Sequence, residues 1–123
     1  MEIHQAEGYR FMGAVFEVYN DLGHGMAEEI YQESLEIELG LRGIAFVLKP
    51  ELVCRYKMRV LEKRYFPDLL VADCLVVELK AVGALAGEHE AQLFNYLRIS
   101  RWTVGYRVNF GHPDKLQWKR FIL

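Results

Sequence analysis

The stretch Leu75-Val76-Val77-Glu78-Leu79-Lys80 places two charged residues at the end of an otherwise apolar run. A run this short and apolar reads as a strand covered on both faces. Charges there are costly unless they are paired or bind an ion. Side chains two apart on a strand share a face, so Glu78 and Lys80 point the same way.

The preceding segment, Tyr65 to Ala72, carries its own misplaced charge, Asp68, directly after Pro67. If the chain turns back at Asp73 as an antiparallel hairpin, residues whose numbers sum to 146 oppose one another, and Asp68 faces Glu78. Opposed strand residues have Cβ atoms roughly 4.5 to 5.5 Å apart, close enough for both carboxylates to hold one hard cation. Like charges so placed repel, and Mg²⁺ is the simplest neutraliser. Lys80 on the same face could act on an attacking water or balance charge on a phosphate. A purely structural reading, an ion-pair cluster with Lys80 bridging both acids, is open on these residues alone.

Upstream, Phe11, Met12, Val15, Val18, Tyr19 and Leu22 recur at three- and four-residue steps, which predicts a helix over 5–22. After Gly23-His24-Gly25 a second helix is expected from Ala27 to about Leu41, with Tyr31, Leu35 and Leu39 on one stripe and Gly43 as its stop. Ala45 to Lys49 and Leu52 to Val60 read as extended, with Leu61-Glu62-Lys63-Arg64 as a polar turn. Downstream, Glu88 to Ser100 is a third helix, and Trp102 to Phe110 and Gln117 to Leu123 are two strands. The order ααβββαββ predicts an α/β fold in which helices flank a mixed sheet.

The chain has 123 residues, 52% hydrophobic and 26% charged, which suits a single domain over 1–123 and excludes a long solvating tail. No apolar run approaches the roughly 20 residues that cross a bilayer, and the start Met1-Glu2-Ile3-His4-Gln5 lacks the pattern of a signal peptide. A cytoplasmic location with no membrane contact is the expectation. Cys54 and Cys74 sit in apolar segments without neighbours at metal-ligand spacing, which predicts reduced cysteines with no chemistry. Charge is uneven: nine acids against two bases over 1–48, then six bases against two acids over 49–64. Arg55, Lys57 and Arg59 would alternate along one strand face as a phosphate track, although a solvated edge strand carries the same pattern.

Pro67-Asp68 followed after nine residues by Glu78-Leu79-Lys80 resembles the signature of the PD-(D/E)XK nuclease superfamily. Gly25-Met26-Ala27-Glu28-Glu29-Ile30-Tyr31, Gln92-Leu93-Phe94-Asn95-Tyr96-Leu97 and Asn109-Phe110-Gly111 extend the likeness to its GxxExxY family, in order along nearly the whole chain. The resemblance implies a restriction-endonuclease-like fold and a nuclease that hydrolyses phosphodiester bonds with Mg²⁺ or Mn²⁺ through a metal-activated water. It makes Asp68 and Glu78 metal ligands, helped by the backbone carbonyl of Leu79. Lys80 would work on the water or the scissile phosphate, and Glu28 would be a helix-borne acid near the same metal. Glu28 shares a helix face with Tyr31, although a first-turn acid also complements the helix dipole.

On the third helix His89, Gln92 and Tyr96 fall on one side. Gln92, Tyr31, Tyr96, Arg55 and Lys57 are the candidate substrate-binding residues, with nucleic acid as partner and DNA favoured over RNA. A homodimer would give so small a domain more contact with a duplex. Arg107 departs from the resemblance, which leads to an apolar residue there; it would face substrate or an exposed edge. The rival from another class is a non-catalytic binding or assembly module that kept the fold.

Overall fold

A computed structural model describes residues 3–123. Within helix α3 the side chain of His89 lies outside the described set. The elements run α1 (Gln5–Leu22), α2 (Glu28–Leu41), β1 (Phe46–Leu48), β2 (Leu52–Tyr56), β3 (Arg59–Tyr65), β4 (Leu69–Val71), β5 (Leu75–Lys80), α3 (Gly87–Ser100), β6 (Val104–Asn109) and β7 (Gln117–Ile122).

Five strands form the main sheet in the order β1-β4-β5-β6-β7, while β2 and β3 pair only with each other. β5 and β6 are parallel and the other ladders antiparallel. A parallel pair needs a crossover, and α3 supplies it. The expected mixed sheet flanked by helices is therefore observed, with a different strand count. The order counted three strands between α2 and α3, from four extended segments, and five are present.

The reason lies at Lys57 and Met58, whose φ angles of 47° and 65° make a tight hairpin turn inside the segment read as one strand. The polar run Leu61 to Arg64, taken for a turn, lies instead within β3, on a hairpin exposed enough to carry charges.

Burial follows strand parity. Leu75, Val77 and Leu79 join Phe11, Val15, Tyr31, Leu35 and Leu39 in the larger core, beneath α1 and α2. Val76 faces the other way, packing with Leu93 and Leu97 of α3, Leu52 of the hairpin and Phe121. Glu78 and Lys80 share the parity of Val76 and leave the sheet on that second face. Among the described residues no helix is long and apolar enough to cross a membrane.

Candidate active site

The β4–β5 ladder pairs Leu69 with Val77, Leu70 with Val76 and Val71 with Leu75, which is the register anticipated from the hairpin. Its turn is Ala72-Asp73-Cys74, with φ angles of 53° and 56° at the first two. Asp68 lies just before β4, one residue beyond the ladder, and lines a cleft with Lys49 and Glu28. Asp68 Oδ2 accepts a 2.7 Å hydrogen bond from the Leu79 N–H, so the acid is tied to the backbone of the strand that bears the other two charges. The Asp68 carbonyl in turn accepts from the Lys49 N–H at 3.0 Å.

Glu28 arrives from the other layer, around the end of the sheet. Gly25 at φ 98° turns the chain into α2, where Glu28 is the first residue. Tyr31, fully buried, closes the turn: its hydroxyl donates to the Gly23 carbonyl at 2.6 Å and accepts from the Met26 N–H at 3.2 Å. Its ring stacks on Phe110 with centroids 4.5 Å apart. The structure thus corrects the expectation for Tyr31: it offers no surface to a substrate and instead braces the loop that presents Glu28.

The strand end is held from the opposite side by Asn109. Its side chain accepts from the Val82 N–H and donates to the Val82 carbonyl, both at 2.9 Å, and donates to Gln117 Oε1 at 2.8 Å. The Phe110 N–H also donates to the Lys80 carbonyl at 2.9 Å. Gly111 is compulsory here, because a Cβ would lie 2.5 Å from backbone atoms of Ala81 and Val82. Asn109-Phe110-Gly111 therefore acts as a clamp on the chain just past Lys80, a role that its sequence alone does not disclose.

Electrostatics show that the acids sense one another. Burial raises the Glu78 carboxyl above its ordinary range and Asp68 raises it further, against the lowering effect of the Tyr65 hydrogen bond, Lys80 and Arg107. Burial also raises Glu28, with Asp68 adding to the rise and Lys80 opposing it. The Tyr65 hydroxyl donates to Glu78 Oε1 at 2.5 Å, and burial beside that carboxylate holds the phenol protonated well above its usual range.

The donor set is all hard oxygen, the chemistry that suits Mg²⁺ or Mn²⁺. Two carboxyls, Glu28 and Glu78, each raised by the charge of Asp68 and lowered by that of Lys80, are a set that a divalent cation would relieve. The side chains are not drawn up in a coordination shell: among the described residues the one set of three ligand atoms mutually within 4.8 Å is His4, Glu7 and Cys74. That set includes the hairpin-turn residue Cys74, about 13 Å along the strand from Glu78.

Other candidates are more scattered. Gln92 donates to the Tyr96 hydroxyl at 3.1 Å, and the Tyr96 ring stacks on Tyr65 at an interplanar angle of 17°, so both stand beside the Glu78 site. Arg55 and Lys57 are exposed on the hairpin, but Lys57 occupies the turn with its ammonium over the Tyr56 ring, so the three bases do not line one strand face as expected. A cleft of about 460 Å³ runs from Asp68 and Lys49 along Glu28, Glu29, Glu33 and Glu36. Its acidic wall suits a cation better than a phosphate backbone. A larger cavity, about 730 Å³, lies against α1 and Trp118 and is lined by none of the candidate acids.

The family model of the PD-(D/E)XK nuclease superfamily matches residues 5–121. The chain belongs to that superfamily. A search of curated proteins finds no match. Among solved structures, one described as "Crystal structure of SSO0001" superposes with a TM-score of 0.57 at 21% identity over 76% of this chain. That likeness supports the fold, and the match spans 48% of the other chain.

Proposed function

We propose that this superfamily member is a divalent-metal-dependent nuclease that hydrolyses phosphodiester bonds of nucleic acid, DNA first among them, and that it belongs to the GxxExxY family. One observation carries the reading: Asp68 bonds the Leu79 N–H, between Glu78 and Lys80 at the end of β5, and its charge acts on both Glu78 and Glu28. Asp68, Glu78 and the Leu79 carbonyl, with Glu28 at the margin, would hold Mg²⁺ or Mn²⁺, which when bound supplies a Lewis acid for the attacking water and the phosphate. Lys80 contributes a fixed positive charge toward the phosphate oxygens as negative charge builds on them. Asp68 orients Leu79 through the N–H bond. Tyr65 holds one oxygen of Glu78 in place, and Gln92 and Tyr96 flank the position a nucleotide would take.

The test is digestion of supercoiled, linear and single-stranded DNA and of RNA with Mg²⁺ or Mn²⁺, beside Asp68→Ala and Lys80→Ala. Metal-dependent cleavage lost in both variants supports the proposal. Cleavage that persists in both belongs to a contaminant, and the proposal then fails.

One observation favours the rival, a nucleic-acid-binding module without catalysis: the Tyr65 hydroxyl already occupies Glu78 Oε1. Binding that is indifferent to EDTA, with no cleavage of any nucleic acid, would establish it.

A further inference from the structure

Arg107 lies in the middle of β6, directly beside Glu78 in the parallel β5–β6 ladder. Its side chain therefore leaves the sheet on the same face as Glu78 and Lys80. It has no solvent exposure and is the largest fully buried side chain among the described residues. Its Nε, Nη1 and Nη2 make no hydrogen bond to any described residue. A guanidinium carries five N–H donors and does not give up its charge, so this is among the costliest ways to fill a protein interior. The acids that act on it are Glu78 first, then Glu90 and Asp68, and none is hydrogen-bonded to it. Glu90 is engaged with Lys119 at 3.1 Å. Among the described residues this charge acts on Glu78 and Tyr65 through space and is met by no hydrogen bond.

A roof of two rings stands beside it. Tyr65 and Tyr96 are stacked, and Tyr65 is tied down through its hydroxyl to Glu78. Tyr65 ends β3, and the β2–β3 hairpin shares no ladder with the main sheet. That hairpin can lift Tyr65 away without breaking a strand pairing of the main sheet.

We propose that Arg107 is an anion-binding residue: its guanidinium receives the oxygens of a substrate phosphate that enters beside Glu78 and Lys80 when Tyr65 withdraws. The fork of parallel N–H donors matches two phosphate oxygens, and a phosphate would satisfy in one step the donors that the protein leaves bare. The substrate assignment rests on the nuclease reading above, whereas the anion site itself does not.

The discriminating variant is Arg107→Met, similar in reach and without charge. Replacing a buried, unpaired ion by an apolar side chain is neutral or stabilising, so the variant folds and melts at or above the temperature of the original chain in EDTA and chloride. Inorganic phosphate at matched ionic strength then raises the melting temperature of the original chain by several degrees, an effect of saturating ligand, and leaves Arg107→Met unmoved. A general salting effect of phosphate raises both equally, and that result overturns the proposal.

Arg107→Lys keeps the charge and loses the fork; it weakens phosphate binding about tenfold or more, and full retention counts against the assignment. Tyr65→Phe frees the roof and tightens phosphate binding severalfold, and an unchanged affinity refutes the roof. All three measurements use the full chain without metal or nucleic acid. A failed cleavage assay therefore leaves them standing, and a phosphate response surviving in Arg107→Met overturns the anion site even in an active nuclease.

Discussion

Asp68 Oδ2 bonds the Leu79 N–H at 2.7 Å, so one carboxylate of the site is seated on the backbone between the other two charged residues of the strand. Its charge raises both Glu28 and Glu78. Asp68→Asn keeps an oxygen for the Leu79 N–H while removing that repulsion. In EDTA the variant should unfold at no lower denaturant concentration than the original chain. Added Mg²⁺ or Mn²⁺ at about a hundred times its dissociation constant should stabilise the original chain by about 2.7 kcal/mol and the variant by far less. Equal metal stabilisation of both would remove Asp68 from the ligand set.

The raised carboxyls of Glu28 and Glu78 give a pH dependence with a definite sign. An acid whose proton affinity is higher in the folded state costs nothing while both states are protonated, below the ordinary value of 4.5. As pH rises above that value the unfolded chain loses its proton first, the folded state holds more protons, and stability falls until the folded carboxyls have titrated. Urea unfolding in EDTA between pH 4 and 8 should show this decline, and Glu78→Gln should flatten it. Stability that rises across the window would contradict the assignment of both shifts.

Tyr31 is the brace of the Glu28 loop, holding Gly23 and Met26 through one hydroxyl. Tyr31→Phe retains the stacked ring on Phe110 and leaves two backbone groups without that partner, a loss of about 1 to 2 kcal/mol. Cleavage should fall together with metal affinity, because Glu28 is no longer presented. A variant that loses stability but keeps metal affinity would confine Tyr31 to the fold.

Gly111 sits against the backbone of Ala81 and Val82, where an added Cβ would be 2.5 Å from three atoms. Gly111→Ala must push that segment away from Asn109, at about 1 to 3 kcal/mol for an overpacked site. The segment follows Lys80 directly, so the loss of cleavage should exceed what the fraction unfolded explains. Activity that tracks only the folded fraction would show the clamp to be structural.

How far the sequence could be read depends on where the physics was local. The β4–β5 register followed from alternation about Asp73, because a one-residue slip would have put Asp68 among the core residues Leu69 and Val71. The two leading helices carried uninterrupted apolar stripes, and they appear over 5–22 and 28–41. The β2–β3 turn was missed because Lys57-Met58 carries none of the glycine or asparagine that marks a left-handed turn. Arg107 stood out as an apolar position filled by a charge, but its burial is tertiary, with α3 packed on β6. The bracing by Tyr31 and the clamp of Asn109 are likewise tertiary: each side chain bonds backbone that no periodicity links to it.

That missed turn is itself a test. Lys57 and Met58 adopt φ angles of 47° and 65° with side chains that resist the left-handed region, at roughly 1 to 2 kcal/mol per residue. Both are exposed, and the Lys57 ammonium lies over the Tyr56 ring. Lys57→Asn with Met58→Gly supplies the pair that a two-residue hairpin turn favours, so stability should rise by about 1 kcal/mol, read by urea unfolding. Because the hairpin carries Tyr65, a firmer hairpin should also hold the hydroxyl on Glu78 more of the time, and cleavage should slow although the protein is more stable. A double variant that is stabilised and equally fast would show that hairpin motion does not gate the site.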